Sequence, residues 1–390
     1  LLDRLLALET FGIKLGLENI SRLCAALGHP ERSFRSLHVA GTNGKGSVAA
    51  MTHAALMAAG HRAARYTSPH LADITERFVV DRDAVPLSTL EAVAGAVLDT
   101  ADRLQARGEL RAPPTFFEAT TATAFEIFRQ AGVEVAVIEV GLGGRFDATN
   151  VIRPAAAAIT TIGFDHQQHL GNTLAEIAFE KAGIIKRGMT VVCGALPAEA
   201  EAAVRRVATE RDARIVAAFD GVSLTSAMDD GAARVTVTTP DGSYGPALLG
   251  LRGVYQVNNA VVAIRLLEAA RSHGIAAPAD AVVHGLERPN WPARLERFTL
   301  DDGRRVLLDS AHNVDGAASL ADHLRAWHPG RPALVLGIMR DKAAEPMLRL
   351  ILPAVSGVIA TAAPTPRAIP ADELARRTAE VLAALPDDSG

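Results

Sequence analysis

Gly41-Thr42-Asn43-Gly44-Lys45-Gly46-Ser47 separates two runs of different character. Before it, Leu37 to Ala40 is apolar and reads as a buried strand. After it, Val48 to Ala59 is rich in Ala, Leu and Met and reads as a helix. Strand, glycine-rich loop and helix is the layout that cradles a nucleotide phosphate. The glycines let backbone N–H groups approach an anion, the helix N-terminus adds a favourable dipole, and Lys45 adds a full charge. In the usual phosphate loop Ser or Thr directly follows the Lys. Here Gly46 intervenes and Ser47 comes one place later, so the loop is a variant. A simple tight turn explains one or two glycines, but not three with a lysine at this spacing.

Working outward, the chain alternates apolar runs with helical ones. Arg62 to Tyr66 reads as a second strand, ending in Thr67-Ser68-Pro69-His70-Leu71, where Ser-Pro breaks regular structure. Helices are expected over Ser88 to Arg107 and Thr115 to Gln130. Val133 to Val140 has the continuous apolarity of a strand buried on both faces. It carries Glu139 at its end and opens into Gly141-Leu142-Gly143-Gly144-Arg145-Phe146-Asp147-Ala148-Thr149-Asn150. Ala155 to Ile162 is a further strand leading to Gly163-Phe164-Asp165-His166, followed by a helix over Thr173 to Lys186 and a strand over Thr190 to Cys193. Such alternation predicts an α/β fold with a mostly parallel sheet and helices on both faces. Residues 220–250 read as antiparallel hairpins, and Val257 to Ala270 as a helix. Residues 1–30 read as helical, interrupted by a loop at Phe11-Gly12-Ile13-Lys14-Leu15-Gly16-Leu17. Two prolines in Arg288-Pro289-Asn290-Trp291-Pro292 mark a linker, after which the alternation restarts. The expected organisation is an ATP-binding domain over 1–287, a linker over 288–294 and a smaller, Rossmann-like α/β domain over 295–390.

Composition narrows the function. At 390 residues, 49% hydrophobic and 22% charged, the chain can build two or three globular cores. A net charge of -4 argues against a general nucleic-acid binder. The two cysteines, Cys24 and Cys193, have no partner at metal-ligand spacing, which points to a reducing cytoplasm. No apolar run is long enough to span a membrane, and no secretory leader is visible. No nucleic-acid or membrane partner is therefore expected, and a monomer is the working expectation.

Ser68, Glu139 and His166 each follow an expected strand. In an open parallel sheet ligands bind beyond the carboxyl ends of the strands, where the glycine-rich loop also opens. A hydroxyl, a carboxylate and an imidazole beside a triphosphate make a plausible Mg²⁺ site, because Mg²⁺ keeps several waters and needs few protein ligands. The imidazole would suit Mn²⁺ as well. Taken singly, Ser68 is a turn hydroxyl, Glu139 a solvated strand end and His166 a structural histidine. Their shared position moves each towards function. Gly141-x-Gly143-Gly144 looks like part of a dinucleotide fingerprint but lacks its spacing. His166 and His169 have zinc-like spacing but no third ligand nearby.

Several stretches together are recognisable. His38-Val39-Ala40-Gly41-Thr42-Asn43-Gly44-Lys45-Gly46-Ser47-Val48 resembles the ATP loop of the folylpolyglutamate synthase and dihydrofolate synthase family, within the Mur ligase superfamily. So do Thr67-Ser68-Pro69-His70-Leu71, Glu139-Val140-Gly141-Leu142-Gly143-Gly144, and Asp165-His166 with Leu170-Gly171. Glu180-Lys181-Ala182-Gly183-Ile184-Ile185-Lys186, Asn290-Trp291-Pro292-Ala293-Arg294 and Asp309-Ser310-Ala311-His312-Asn313 complete the set, in the family's order and nearly end to end. The opening Phe11-Gly12-Ile13-Lys14-Leu15-Gly16-Leu17-Glu18 belongs to it too.

The resemblance implies a ligase that activates a carboxylate with ATP as an acyl phosphate, which the amino group of L-glutamate then attacks. The acceptors would be dihydropteroate and reduced folates. It implies that Lys45 and the amides of Gly41, Thr42, Asn43, Gly44, Gly46 and Ser47 hold phosphates, and that Ser68, Glu139 and His166 ligate Mg²⁺. Lys181 matches the lysine that is carbamylated in the superfamily and would join the metal site. Asn259, Arg294 and Asp309 would contact the nucleotide, and His312 would serve the reaction from the second domain. Phe117, Asp147 and Ala148 fall where bacterial members hold the pterin. Tyr255 stands where His is common, and Ala293 and Ser310 replace frequent glycines. The physics agrees: two anions must meet, which calls for Mg²⁺ and Lys45, and an acyl phosphate must be kept from water. The alternatives are a member with one of the two activities and a nucleotide-binding switch without ligase chemistry. A cell-wall ligase would need an N-terminal sugar-nucleotide domain, for which 40 residues before the loop leave no room.

Overall fold

Eight short strands form the main sheet: β1 (Arg35–Ala40), β2 (Ala63–Tyr66), β3 (Phe78–Val80), β4 (Asp83–Ala84), β5 (Val135–Glu139), β6 (Ala156–Ile159), β7 (Thr190–Cys193) and β8 (Arg214–Ala217). This is a computed structural model, and it describes residues 2–8 and 16–385. The loop expected at Phe11 to Leu17 lies largely outside the described residues. From edge to edge the order is β4-β3-β2-β5-β1-β6-β7-β8. The strands from β2 to β8 in that row are parallel, and β3 and β4 add an antiparallel edge. The runs Leu37–Ala40, Val135–Ile138 and Ala156–Ile159 are fully buried, as strands covered on both faces must be.

The chain leaves β1 towards β2 on one side and leaves β6 towards β7 on the other. Since β1 and β6 are neighbours, the crevice beyond their carboxyl ends is the topological switch point, where open α/β sheets bind ligands. Side chains alternate along each strand. Tyr66, Ala136 and Ile138 pack with Leu90, Phe125 and Phe128 of helices Leu87–Ala106 and Phe116–Gln130. By the same alternation, and in the register Arg65↔Val137, Arg65 and Glu139 share the opposite face. Helices Leu174–Ala182 and Ala198–Glu210 continue that first face towards β7 and β8, packing Ile177, Ala178 and Val204 with Ala157, Ile159, Val191 and Cys193. The expected helix over Thr173 to Lys186 stops at Ala182, and the strands are shorter at both ends than the apolar runs suggested.

The hairpin region forms a separate three-stranded sheet, β9 (Ser223–Asp229), β10 (Ala232–Thr239) and β11 (Gly242–Leu248), in the order β11-β10-β9. Two compact units emerge. The first comprises 1–226, 235–250 and 257–291, and the second 227–234, 251–256 and 292–390. The division at Trp291 falls inside the proline-rich stretch. The two small segments that group with the second unit lie within the range that sequence assigned wholly to the first domain. In the second unit, β12 (Glu296–Thr299) runs antiparallel to β13 (Arg305–Leu308), and β14 (Ala333–Leu336) parallel to β15 (Gly357–Ala360). Helices Val314–Trp327, Ala344–Ile351 and Ala371–Ala383 supply its core through Ala321, Leu324, Met347, Leu348, Ile351 and Leu374.

Candidate active site

The glycine-rich loop is pinned to the exit of β6. Thr42 donates its N–H to the Thr161 carbonyl at 2.8 Å, and its hydroxyl bridges the Gly163 carbonyl at 3.1 Å and the Gly163 N–H at 3.0 Å. Asn43 N–H donates to the Thr161 hydroxyl at 3.0 Å, and the Thr160 hydroxyl donates to the Asn43 carbonyl at 2.5 Å. These threonines escaped the sequence reading. Their role follows from the pairing of β6 with β1, which their own stretch of sequence does not reveal. Gly44 caps the helix Lys45–Ala58 with φ 85°, in the left-handed region, and a Cβ there would strike the Asn259 side chain. A Cβ on Gly46 would enter the indole of Trp291. Asn259 and Trp291 therefore close on the loop from two sides. Lys45 Nζ donates to the Thr42 carbonyl at 3.1 Å, so the loop curls around its own lysine. Ser47 is buried in the first helical turn.

Glu139 ends β5, one strand from β1, and is buried. The Ser68 N–H donates to its Oε2 at 3.3 Å, and the buried guanidinium of Arg65 faces it with opposite charge. The solvated strand end considered for Glu139 is thus excluded. His166 stands beyond β6, on the other side of the loop. It has φ 50° and caps the short helix Gln167–Leu170, with its Nε2 3.8 Å from Asp165 Oδ2. Ser68 and Glu139 meet directly, and His166 flanks the loop from the opposite neighbour strand. Among the described residues no three His, Cys, Asp or Glu side chains converge as a cage for a metal ion. Ser68, Glu139 and His166 suit an ion that completes its shell with phosphate oxygens and water, as Mg²⁺ does.

Lys181 is buried, and its Nζ donates to the Gly41 carbonyl at 2.8 Å. Burial, and then the charge of Lys45, lower its pKa to about 7 against the pull of Asp165 and Asp147. An ordinary surface lysine at this position would pair with Glu176 or Glu180, but Lys181 is buried, Glu180 binds Arg145 at 2.6 Å and Glu176 accepts from the Asn172 and Thr173 N–H groups. With a pKa near 7, a substantial fraction of this buried amine is neutral around neutral pH.

The pterin candidates sit on the Gly141–Asn150 loop and the helix facing it. A Cβ on Gly141 would collide with the Phe117 ring, which fixes that ring over the start of the loop. Asp147 is buried and spends both oxygens on local backbone: Oδ2 accepts from Leu142 N at 2.8 Å, and Oδ1 accepts from Thr149 N at 3.0 Å and from the Thr149 hydroxyl. Burial nevertheless raises its pKa to about 6. Ala148 is buried beside it. The glycines that looked like a dinucleotide fingerprint serve packing: a Cβ on Gly144 would meet the Glu180 and Lys181 carbonyls.

In the second unit, Asp309 accepts from Leu295 N at 3.0 Å and Ala311 N at 2.8 Å, and burial raises its pKa. Arg294 donates to the Ala293 carbonyl at 2.8 Å and to the Ser310 hydroxyl. Tyr255 faces Asp309 and Arg294, and burial pushes its phenol up. His312 is exposed, with Nδ1 3.0 Å from the Ser310 carbonyl. Ala293, where a glycine is frequent, has φ 53°, a conformation that costs a side chain strain.

Residues 87–267 match the family model described as Mur ligase middle domain, and residues 293–387 the one described as Mur ligase, glutamate ligase domain. The chain is 36% identical over 345 residues to the dihydrofolate synthase/folylpolyglutamate synthase of Bacillus subtilis, across 87% of this chain and 79% of that protein. The structure of Mycobacterium tuberculosis folylpolyglutamate synthase complexed with ADP and AMPPCP has a TM-score of 0.87 and 34% identity, covering 94% of this chain and 83% of that one. Escherichia coli FolC in complex with DHPP and ADP has a TM-score of 0.84 and 28% identity, covering 98% and 90%.

Proposed function

The chain belongs to the folylpolyglutamate synthase and dihydrofolate synthase family of Mur ligases, and from that premise we propose that it is a bifunctional enzyme joining L-glutamate to dihydropteroate and to reduced folates. It is an ATP-dependent ligase that forms an amide bond. The observation that carries the reading is the loop at the switch point, with Lys45 at its centre and the buried Lys181 amine on its Gly41 carbonyl.

The loop amides and Lys45 hold the β- and γ-phosphates of ATP, with Asn259, Arg294 and Asp309 as nucleotide contacts. Ser68, Glu139 and His166 would hold Mg²⁺. When bound, the ion offsets the charge of the phosphates and of the carboxylate to be activated. The γ-phosphoryl group passes to that carboxylate, ADP leaves, and the glutamate amine displaces phosphate to give the amide. Lys181 acts as a carbamate. Its amine is buried, which favours the neutral form that adds CO₂, and the product carries two oxygens suited to Mg²⁺ or its waters. Phe117, Asp147 and Ala148 line the pterin site, and His312 serves the second half-reaction. Both cysteines are buried free thiols, which supports a reducing, cytoplasmic setting.

Purified protein with ATP and glutamate, offered dihydropteroate and tetrahydrofolate separately, tests the reading. Phosphate release with each acceptor, dependent on glutamate, is expected. Release with one acceptor alone leaves a monofunctional ligase, and nucleotide binding with no release leaves a switch.

A further inference from the structure

Arg65 is a cation with 4% of its surface exposed, on a strand where an apolar residue would bury at lower cost. Three interactions hold it there. Its guanidinium lies 5.1 Å from the centroid of the Trp291 ring, Nη1 donates to the Asn290 carbonyl at 3.1 Å, and Glu139 faces it with opposite charge. The Trp291 ring in turn occupies the space where a side chain on Gly46 would lie, at the first turn of the loop's helix. One guanidinium thus touches the residue that walls the phosphate loop and faces the carboxylate at the end of β5.

We propose that Arg65 and Trp291 are positioning residues of the nucleotide site: Arg65 holds the indole against Gly46, and the indole fixes the first turn of the phosphate-binding helix. The inference rests on the ligase reading, because it assigns the loop to nucleotide. Their roles are to position the loop, and no phosphate contact is assigned to either. The loop's N–H groups must point at one anion, and a helix start that shifts misaims several of them together. An aromatic face under a desolvated guanidinium is a directional contact, so it sets the ring's orientation as well as its depth. Only glycine at position 46 admits the ring so close to the helix backbone.

The test is equilibrium binding of Mg·ADP, read by calorimetry and by tryptophan emission in a Trp327→Phe background, which leaves Trp291 as the remaining tryptophan of the two in the chain. Mg·ADP is expected to change Trp291 emission. Trp291→Ala and Arg65→Met are each expected to weaken Mg·ADP by about tenfold or more. Trp291→Phe keeps an aromatic face and should recover most of the loss, and the pair Trp291→Ala with Arg65→Met should be clearly less than additive. A merely structural role would lower the melting temperature and leave the affinity of the folded protein unchanged. Wild-type affinity in folded Trp291→Ala or Arg65→Met, additive losses, or emission indifferent to Mg·ADP would overturn the proposal. If one variant does not fold, the other decides. Failure of the wild-type protein to bind Mg·ADP would instead remove the nucleotide reading on which the proposal stands.

Discussion

The amine of Lys181 donates a 2.8 Å hydrogen bond to the carbonyl of Gly41, although 140 residues separate them. The bond brings the end of the helix Leu174–Ala182 to the first residue of the phosphate loop. It places a second lysine near Lys45, and the two repel, which favours the neutral amine of the buried one. The proposed conversion to a carbamate would replace that repulsion with attraction, because it exchanges a cation for an anion beside Lys45. Lys181→Ala should therefore lower turnover by at least about a hundredfold. Protein labelled with ¹³C-bicarbonate should show a carbamate carbon signal that is absent from the variant, and a small added carboxylate should restore part of the activity. A fully active Lys181→Ala, or no carbamate signal in abundant bicarbonate, sinks the assignment.

Lys45 bonds locally, to the Thr42 carbonyl three residues earlier, so its loss is expected to cost the fold little. Lys45→Ala should leave the melting temperature within a few degrees of wild type and cut turnover by roughly a thousandfold. Near-normal activity in the folded variant removes Lys45 from phosphate binding.

The sheet and the loop were legible because their signals are local. Apolar runs mark buried strands, and three glycines with a lysine mark the loop. Ser68, Glu139 and His166 could be placed at one edge of the sheet because each lies at or beyond the end of one of its strands, and of the three the structure brings Ser68 and Glu139 into contact. What escaped depends on partners distant in sequence. Thr160 and Thr161 matter because β6 happens to neighbour β1, and nothing in their own surroundings says so. Arg65 read as one strand residue among others, although its partners are Glu139 and Trp291. The units also divide where no local signal lies, since Ala227–Arg234 and Leu251–Gln256 belong by packing to the second. Ala293 was legible as a departure from a common glycine, and its positive φ gives that departure a physical meaning.

Asp147 presents a sharper choice than sequence allowed. Both its oxygens already accept backbone N–H groups, so removing them leaves buried donors unpaired. Asp147→Ala should cost about 1–3 kcal/mol of unfolding free energy, measured in urea. If the carboxylate also receives N–H groups of a pterin, the Michaelis constant for dihydropteroate should rise more than the dissociation constant of ADP. Equal losses in both would assign Asp147 to capping alone.

His38 and His53 give a pH signature independent of catalysis. Both are buried, His38 against the Thr149 hydroxyl at 2.9 Å and His53 donating to the Ala63 carbonyl at 3.4 Å. Burial lowers each pKa to about 3, aided by Lys186 for His38 and by Arg65 for His53. The folded pKa values lie below that of an unfolded histidine, about 6.5. As the pH falls below that point, the unfolded chain takes up protons that the folded chain refuses. Stability from this source is complete above pH 6.5 and is lost progressively down to about pH 3, with a limiting slope of roughly 1.4 kcal/mol per pH unit for each histidine. Urea unfolding between pH 6.5 and 5 should show this decline, in a range where most carboxylates remain ionised. His38→Gln retains a partner for Thr149, and His53→Gln retains a donor for Ala63. The double variant should therefore lose up to two protons' worth of slope while keeping most of its stability at pH 7.5. An unchanged slope in the double variant would show that these imidazoles titrate normally in the folded protein, against the burial that lowers their pKa values here.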